Sequence, residues 1–226
     1  MRIGQAVALA LLASLLLFPA GADTLADLLT HMDRTAASFR AFSADLRSVQ
    51  HTAVINEDEV DTGTMLLKRS KRDIRMLVDL TAPDRKTVAL HEHTLEIYYP
   101  KMQEVQVWDT GQYDALVHQF LLIGFGTSGK DLDAAYTLRV VGNESIEGQV
   151  TTRLELIPKS TEVLKNLKKL ELWISDADVY PVQQKFYLAA GDYKLVTYTD
   201  VKVNPALSDS DLKLKAKDAR RVFPQK

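Results

Sequence analysis

The chain has 226 residues, 28 basic and 30 acidic, a formal net charge of −2 and no cysteine. So even a balance offers no footing for nucleic acid or an anionic membrane surface as main partner. The missing cysteine excludes disulfides, thiolate catalysis, cysteine metal sites and acylation of the mature N-terminus, so burial and hydrogen bonds alone must hold the fold.

Arg2 precedes an apolar run from Ala6 to Phe18, and Ala20-Gly21-Ala22 has the small-x-small pattern of a signal-peptidase site. The run is too short to span a bilayer. Residues 1–22 are therefore read as a cleaved signal peptide. Residues 23–226 are read as one exported, soluble domain, working where ATP is not supplied.

From Asp23 to Phe39 the period is helical, with Leu25, Leu28, Leu29, Met32, Ala36 and Phe39 on one stripe. The period then falls to two. Phe42, Ala44 and Leu46 alternate with polar residues, Asn56–Glu59 reads as a turn, and Gly63–Lys68 resumes a strand. Ile74, Met76, Val78 and Leu80 follow, then Leu95, Ile97 and Tyr99, then Val105 and Val107. Turn-like breaks without helices between these runs signal an antiparallel meander.

The stretch Asp114–Phe125, with Leu116, Phe120 and Ile123, is apolar nearly all round and reads as a helix buried on more than one side. A glycine-rich break and a short helix at Asp131–Tyr136 follow. Alternation returns at Thr137: Leu170, Leu172 and Ile174 face one way, then Phe186, Leu188 and Leu195–Val203 continue the pattern, and Leu212 and Leu214 could open a last strand. One-sided strands need a cover for their apolar face, and the helical segments are what is available. The fold class expected is α+β, mainly β, a curved sheet closed over helices.

Three motifs could carry chemistry. Gly124–Lys130 matches both G-x-G-x-x-G and G-x-x-x-x-G-K, but Asp131 stands where a phosphate loop needs Ser or Thr, and no parallel strand is expected before it. The other reading is a hinge between two lid helices. His91-Glu92-His93 would put two histidines on one strand face, able to bind metal with a third ligand, or serve as ordinary strand-edge residues. Lys213, Lys215 and Lys217 alternate with Leu212, Leu214 and Ala216 as a solvated strand face does. No catalytic constellation emerges, no cofactor is implied, and the apolar face is left as the candidate site.

Four segments together resemble the periplasmic outer-membrane lipoprotein carriers of the LolA family: Phe39–Asp45 entering the first strand, Gly63–Arg69, Thr94–Val105 with its aromatic residues and proline, and Tyr198–Asn204. The resemblance implies an incomplete antiparallel β-barrel with helices over its concave apolar face. It implies a carrier without enzymatic activity, loaded with acylated lipoprotein by an inner-membrane ABC transporter and unloaded onto an outer-membrane receptor lipoprotein. It places a lid-locking arginine at Arg69; Ser70 stands where the family has proline, and Asp73 where it has an apolar aromatic residue.

In such a carrier the candidate acyl-chain cavity is Leu67, Ile74, Met76, Val78, Leu95, Ile97, Leu170, Leu172, Ile174 and Phe186, with Leu116, Phe120 and Ile123 on the lid. Three acyl chains, some forty-odd methylenes, carry roughly 30–40 kcal/mol of burial energy, so they do not cross water unshielded. The carrier is expected to be a monomer. Two alternatives stand beside it: a periplasmic lipid- or lipoprotein-binding sensor or adaptor on the same fold, and, more remotely, a metal-dependent hydrolase at His91 and His93.

Overall fold

The structure, a computed structural model, describes residues 24–70, 74–111 and 123–224. The signal peptide, Asp73, Leu116 and Phe120 lie outside the described residues.

The first helix, α1 (Leu25–Ser38), opens at Thr24, whose hydroxyl oxygen accepts from the Asp27 amide at 3.2 Å. Asp27 also puts its charge at the positive end of the helix dipole. Leu28 and Met32, from the expected stripe, are buried. A six-stranded antiparallel meander follows: β1 (Ala41–Thr52), β2 (Glu57–Arg69), β3 (Ile74–Ala82), β4 (Lys86–His91), β5 (Thr94–Tyr99) and β6 (Glu104–Asp109). Helix α2 (Gly129–Ala135) leads into β7 (Tyr136–Ile146) and β8 (Gln149–Pro158). The one-turn helix α3 (Thr161–Leu164) precedes β9 (Leu167–Ser175), β10 (Pro181–Leu188) and β11 (Tyr193–Val203).

Strand β11 pairs with β1, which joins the two meanders, and β12 (Arg220–Val222) adds to β6. The result is one curved, unclosed sheet of twelve strands in the order β12-β6-β5-β4-β3-β2-β1-β11-β10-β9-β8-β7. This is the mainly β, incomplete-barrel architecture expected.

That order forces two long crossings. Strands β6 and β7 lie towards opposite edges, so the chain between them must traverse a face of the sheet. Its described part lies on the concave face, where the Phe125 ring packs 4.4 Å from Phe42 and 5.2 Å from Tyr198, centroid to centroid. The chain from β11 to β12 crosses the convex face instead. Lys68 Nζ donates to the Leu207 carbonyl at 2.9 Å and to Asp209 at 2.8 Å, Arg75 pairs with Asp209 at 3.1 Å, and Leu212 is buried. Residues 212–214 therefore form an outer strap and not the strand expected there. The tail reaches β6 only after this crossing and joins it in parallel, so the sheet is not wholly antiparallel.

The concave face carries two cores. One gathers Leu28 and Met32 of α1, Leu132 of α2, and Leu154, Leu156, Leu170, Leu172 and Ile174 of β8 and β9. The other gathers Phe39, Phe42, Leu67, Ile74, Met76, Leu90, Phe125 and Tyr198. Helices thus fill the β7–β9 end, and aromatic residues fill the start of β1.

On the convex face Glu171, only 2% exposed, accepts from Arg153 (2.9 Å), Lys169 (2.9 Å) and Tyr187 (2.9 Å). Glu155 lies opposite it across the ladder and takes Arg139 (2.8 Å) and Lys169 (3.1 Å). Burial works to raise the Glu171 pKa, but the hydrogen bonds from Lys169, Arg153 and Tyr187 prevail and it lies below the ordinary value. Hydrogen bonding by Arg139 likewise holds Glu155 low against desolvation. Burial, with the neighbouring Glu171, pushes the Tyr187 phenol up to about 12.

A carboxyl depressed on folding contributes stability above its unfolded pKa and loses it as pH falls through the folded one. Glu171→Gln should cost about 1–3 kcal/mol at pH 7. The gap from wild type should narrow below about pH 4, where the unfolded carboxyl protonates; urea melts across pH 3–7 measure it.

Candidate functional site

Between the two cores the concave face is not filled. A cavity of about 590 Å³ lies over β1–β4 and β10–β11. Its apolar wall is Leu46, Met65, Met76, Val78, Leu80, Val88, Phe186, Leu188 and Val196, with Phe125 and Leu167 at its margins. Alternation puts these residues here: Met65, Val78 and Val88 stand in register across three strands, so one row of side chains points inward.

Of the candidate cavity residues, Met76, Val78 and Phe186 line this space. Leu67 and Ile74 do not; they face inward but are packed into the aromatic core around Phe42. Leu170, Leu172 and Ile174 also face inward, but α1 and α2 lie on them and they are fully packed. Leu95 packs against the aromatic core, and Ile97 extends the Met65–Val78–Val88 row one strand beyond the cavity wall. Ile123 is buried in the helix-side core. Inward direction was legible from the period of two; which inward residues remain uncovered depends on where the helices sit, and no strand's own sequence records that.

Two polar contacts tie the described part of the inner crossing to the sheet. The Arg69 guanidinium donates to the Gly126 carbonyl at 2.8 Å. Gln184 Nε2 donates to the Ile123 carbonyl at 2.6 Å, while its Oε1 accepts from the Tyr198 hydroxyl at 2.9 Å. Burial pushes the Tyr198 phenol up, so it remains a neutral donor. Gln184 and Tyr198 were missed in the sequence. The available signal was a glutamine at an inward position of β10, opposite Leu172 and Val196.

The glycine-rich motif is explained by packing. Ile123–Phe125 is a turn, not the end of a helix, because Gly124 and Gly126 adopt φ of 80° and 71°. A side chain on Gly126 would meet the Phe39 ring at 2.5 Å, and one on Gly129 would meet the Leu29 carbonyl oxygen of α1 at 2.4 Å. The amides a phosphate would need are taken: Asp131 N donates to Ser128 Oγ at 3.0 Å and Lys130 N to Asp33 at 3.2 Å. The motif lets two helices touch and does not cradle an anion.

The histidine pair dissolves too. His91 ends β4, and Glu92, with φ of 51°, turns the chain, so His91 and His93 do not share a strand face. His91 lies 3.5 Å from Glu96. Among the described residues no group of three or more metal-ligating side chains converges.

No protein-family model matches the chain, and no curated protein matches it in sequence. Solved structures do match. An uncharacterized conserved protein from Thermus thermophilus is 15% identical over 89% of this chain and 100% of that one, with a TM-score of 0.57. MucB is 15% identical over 89% of this chain and 66% of its own, with a TM-score of 0.55; in the Pseudomonas aeruginosa MucA/MucB complex the values are 14%, 85%, 61% and 0.51. This chain thus spans less than two-thirds of MucB. A LolA superfamily protein from Nitrosomonas europaea aligns more loosely, 17% identical over 85% of this chain and 99% of that one, with a TM-score of 0.39. The chain thus shares its fold with the Thermus thermophilus protein and with MucB; identities this low speak to fold alone.

Two substitutions probe the crossing. Arg69→Leu removes one hydrogen bond worth about 0.5–1.5 kcal/mol and should speed amide hydrogen exchange over residues 123–128 roughly two- to tenfold. Gly129→Ala forces α1 and α2 apart and should cost about 1–3 kcal/mol, read as a lower thermal midpoint.

Proposed function

We propose that this chain is a periplasmic binding protein that shields the acyl part of a lipidated ligand and performs no bond chemistry. The observation that carries this is the mainly apolar hollow of about 590 Å³ on the concave face, flanked by an inner crossing that Arg69 and Gln184 tie to the sheet. A space this size falls within the range of ligand sites, and its lining is mostly aliphatic. Among the described residues no helix is long and apolar enough to cross a membrane, which agrees with the exported reading of residues 1–22. The resemblance of four segments to the LolA family supports the same reading.

The lipoprotein carrier is the finer form of this proposal, with acylated lipoprotein as cargo, an ABC transporter as donor and a receptor lipoprotein as acceptor. In it, Arg69 on the Gly126 carbonyl is the closure that cargo must open. The hollow of about 590 Å³ is open on one side, so three acyl chains would lie partly outside it unless the inner crossing moves.

A sensor or adaptor needs no such movement. The fold likeness to MucB, solved with its partner MucA, favours that second reading.

Protein isolated from periplasm should retain an acyl-containing species in native mass spectrometry. Val78→Trp, which fills the hollow, should weaken binding of a fluorescent fatty acid at least about tenfold, since excluding two methylenes costs about 1.6 kcal/mol. An empty protein that also fails to bind the probe would overturn the reading. Rescue of lipoprotein transport in a carrier-depleted cell separates carrier from adaptor.

A further inference from the structure

The hollow is not apolar throughout. At the Phe125 end it is lined by aromatic and aliphatic groups, whereas at the opposite end, towards the close of β1, Asp61, Lys86 and Lys194 enter its wall with Ser48 and Gln50. The ladder fixes this placement: Ser48 pairs with Asp61, and Gln50 with Lys194. Lys194 pairs in turn with Phe186, whose ring lines the same space.

The three charged groups are not a closed set. Lys86 lies 3.4 Å from Asp61 Oδ2, while Asp61 Oδ1 is buried without a donor among the described residues. No hydrogen bond or ion pair among the described residues engages the Lys194 ammonium. Two cations against one carboxylate leave the corner with a surplus positive charge. The walls desolvate the Lys194 amine and pull its pKa below that of an ordinary lysine; Asp61 opposes this and Lys86 adds to it. Lys194 stands exposed at the open side of the hollow while lining its wall, so an anion arriving on an acyl chain would meet a cation that no described carboxylate neutralises.

We propose that the hollow takes a single-chain amphiphile, its acyl chain running towards Phe125 and its anionic head seated against Lys194 in the Asp61–Lys86 corner. This rests on the acyl-chain reading above and narrows it in two ways. The hollow of about 590 Å³ seats one acyl chain, where three would lie partly outside it. The surplus charge selects an anionic head, carboxylate or phosphate, over a zwitterionic one.

The test is isothermal titration of the delipidated protein with three palmitoyl probes below their micellar concentrations: palmitate, 1-palmitoyl-lysophosphatidylglycerol and 1-palmitoyl-lysophosphatidylcholine. At least one anionic probe should bind tenfold or more tighter than the zwitterionic one, and which of them does so identifies the head as carboxylate or phosphate. Lys194→Met should reduce that preference below threefold. Lys194→Gln, which keeps a polar side chain, should behave alike, and thermal midpoints near wild type for either variant show that the fold is intact. Equal affinity for all three probes, or a preference that survives both variants, overturns the proposal. Binding of a triacylated lipopeptide but of no single-chain probe overturns it too, leaving the acyl-chain reading in place. Binding of no acyl compound overturns that reading itself.

Discussion

A twelve-stranded sheet with one apolar face presents more concave surface than the described helices cover. Everything else in this structure follows from that mismatch. Helices α1 and α2 settle on β7–β9, where Leu154, Leu156, Leu170 and Leu172 receive them. Aromatic residues close the start of β1. What remains between them is inward-facing and largely apolar, and the described helices do not fill it. An apolar surface facing water carries a cost in exposed area unless something occupies it.

Stability and site are separable here. Strands β7–β9 are fastened on their outer side by the Glu155–Glu171 network and on their inner side by helices. The hollow lies over β1–β4 and β10–β11, and the segment beside it is tied by Arg69 to Gly126 and by Gln184 to Ile123. A few polar contacts to backbone carbonyls suit a covering that must yield: each is worth little alone, and all can be remade by water when the segment lifts.

The sequence made the architecture legible because the two periods are clean. Phe42, Ala44 and Leu46 alternate and are buried as read; the stripe from Leu25 to Ala36 is helical as read, while Phe39, read as part of it, is extended and packs in the aromatic core. Arg69 could be singled out by its motif, and it contacts the segment over the hollow. The cavity wall was only partly legible. Met76 and Phe186 line it while Leu67 and Leu172, with the same pattern, do not, because the difference lies in which helix covers them. The strap at 204–219 was misread, since alternating leucine and lysine describe a strand face and an anchored tail equally well. Lys194 was passed over for a related reason: a lysine between Tyr193 and Leu195 reads as the solvent side of a strand until the register places it beside Phe186.

The outer strap has a mechanical consequence. It is anchored at one end by Asn204, whose side-chain oxygen accepts the Arg40 and Ala41 amides and whose nitrogen donates to the Ser38 carbonyl. At the other end Arg220 and Arg221 pair with Glu104 and Glu96. Between these moorings it runs over the convex back of β2–β5, where a taut outer strap resists tighter curling of that half and so helps keep the concave side from collapsing on itself.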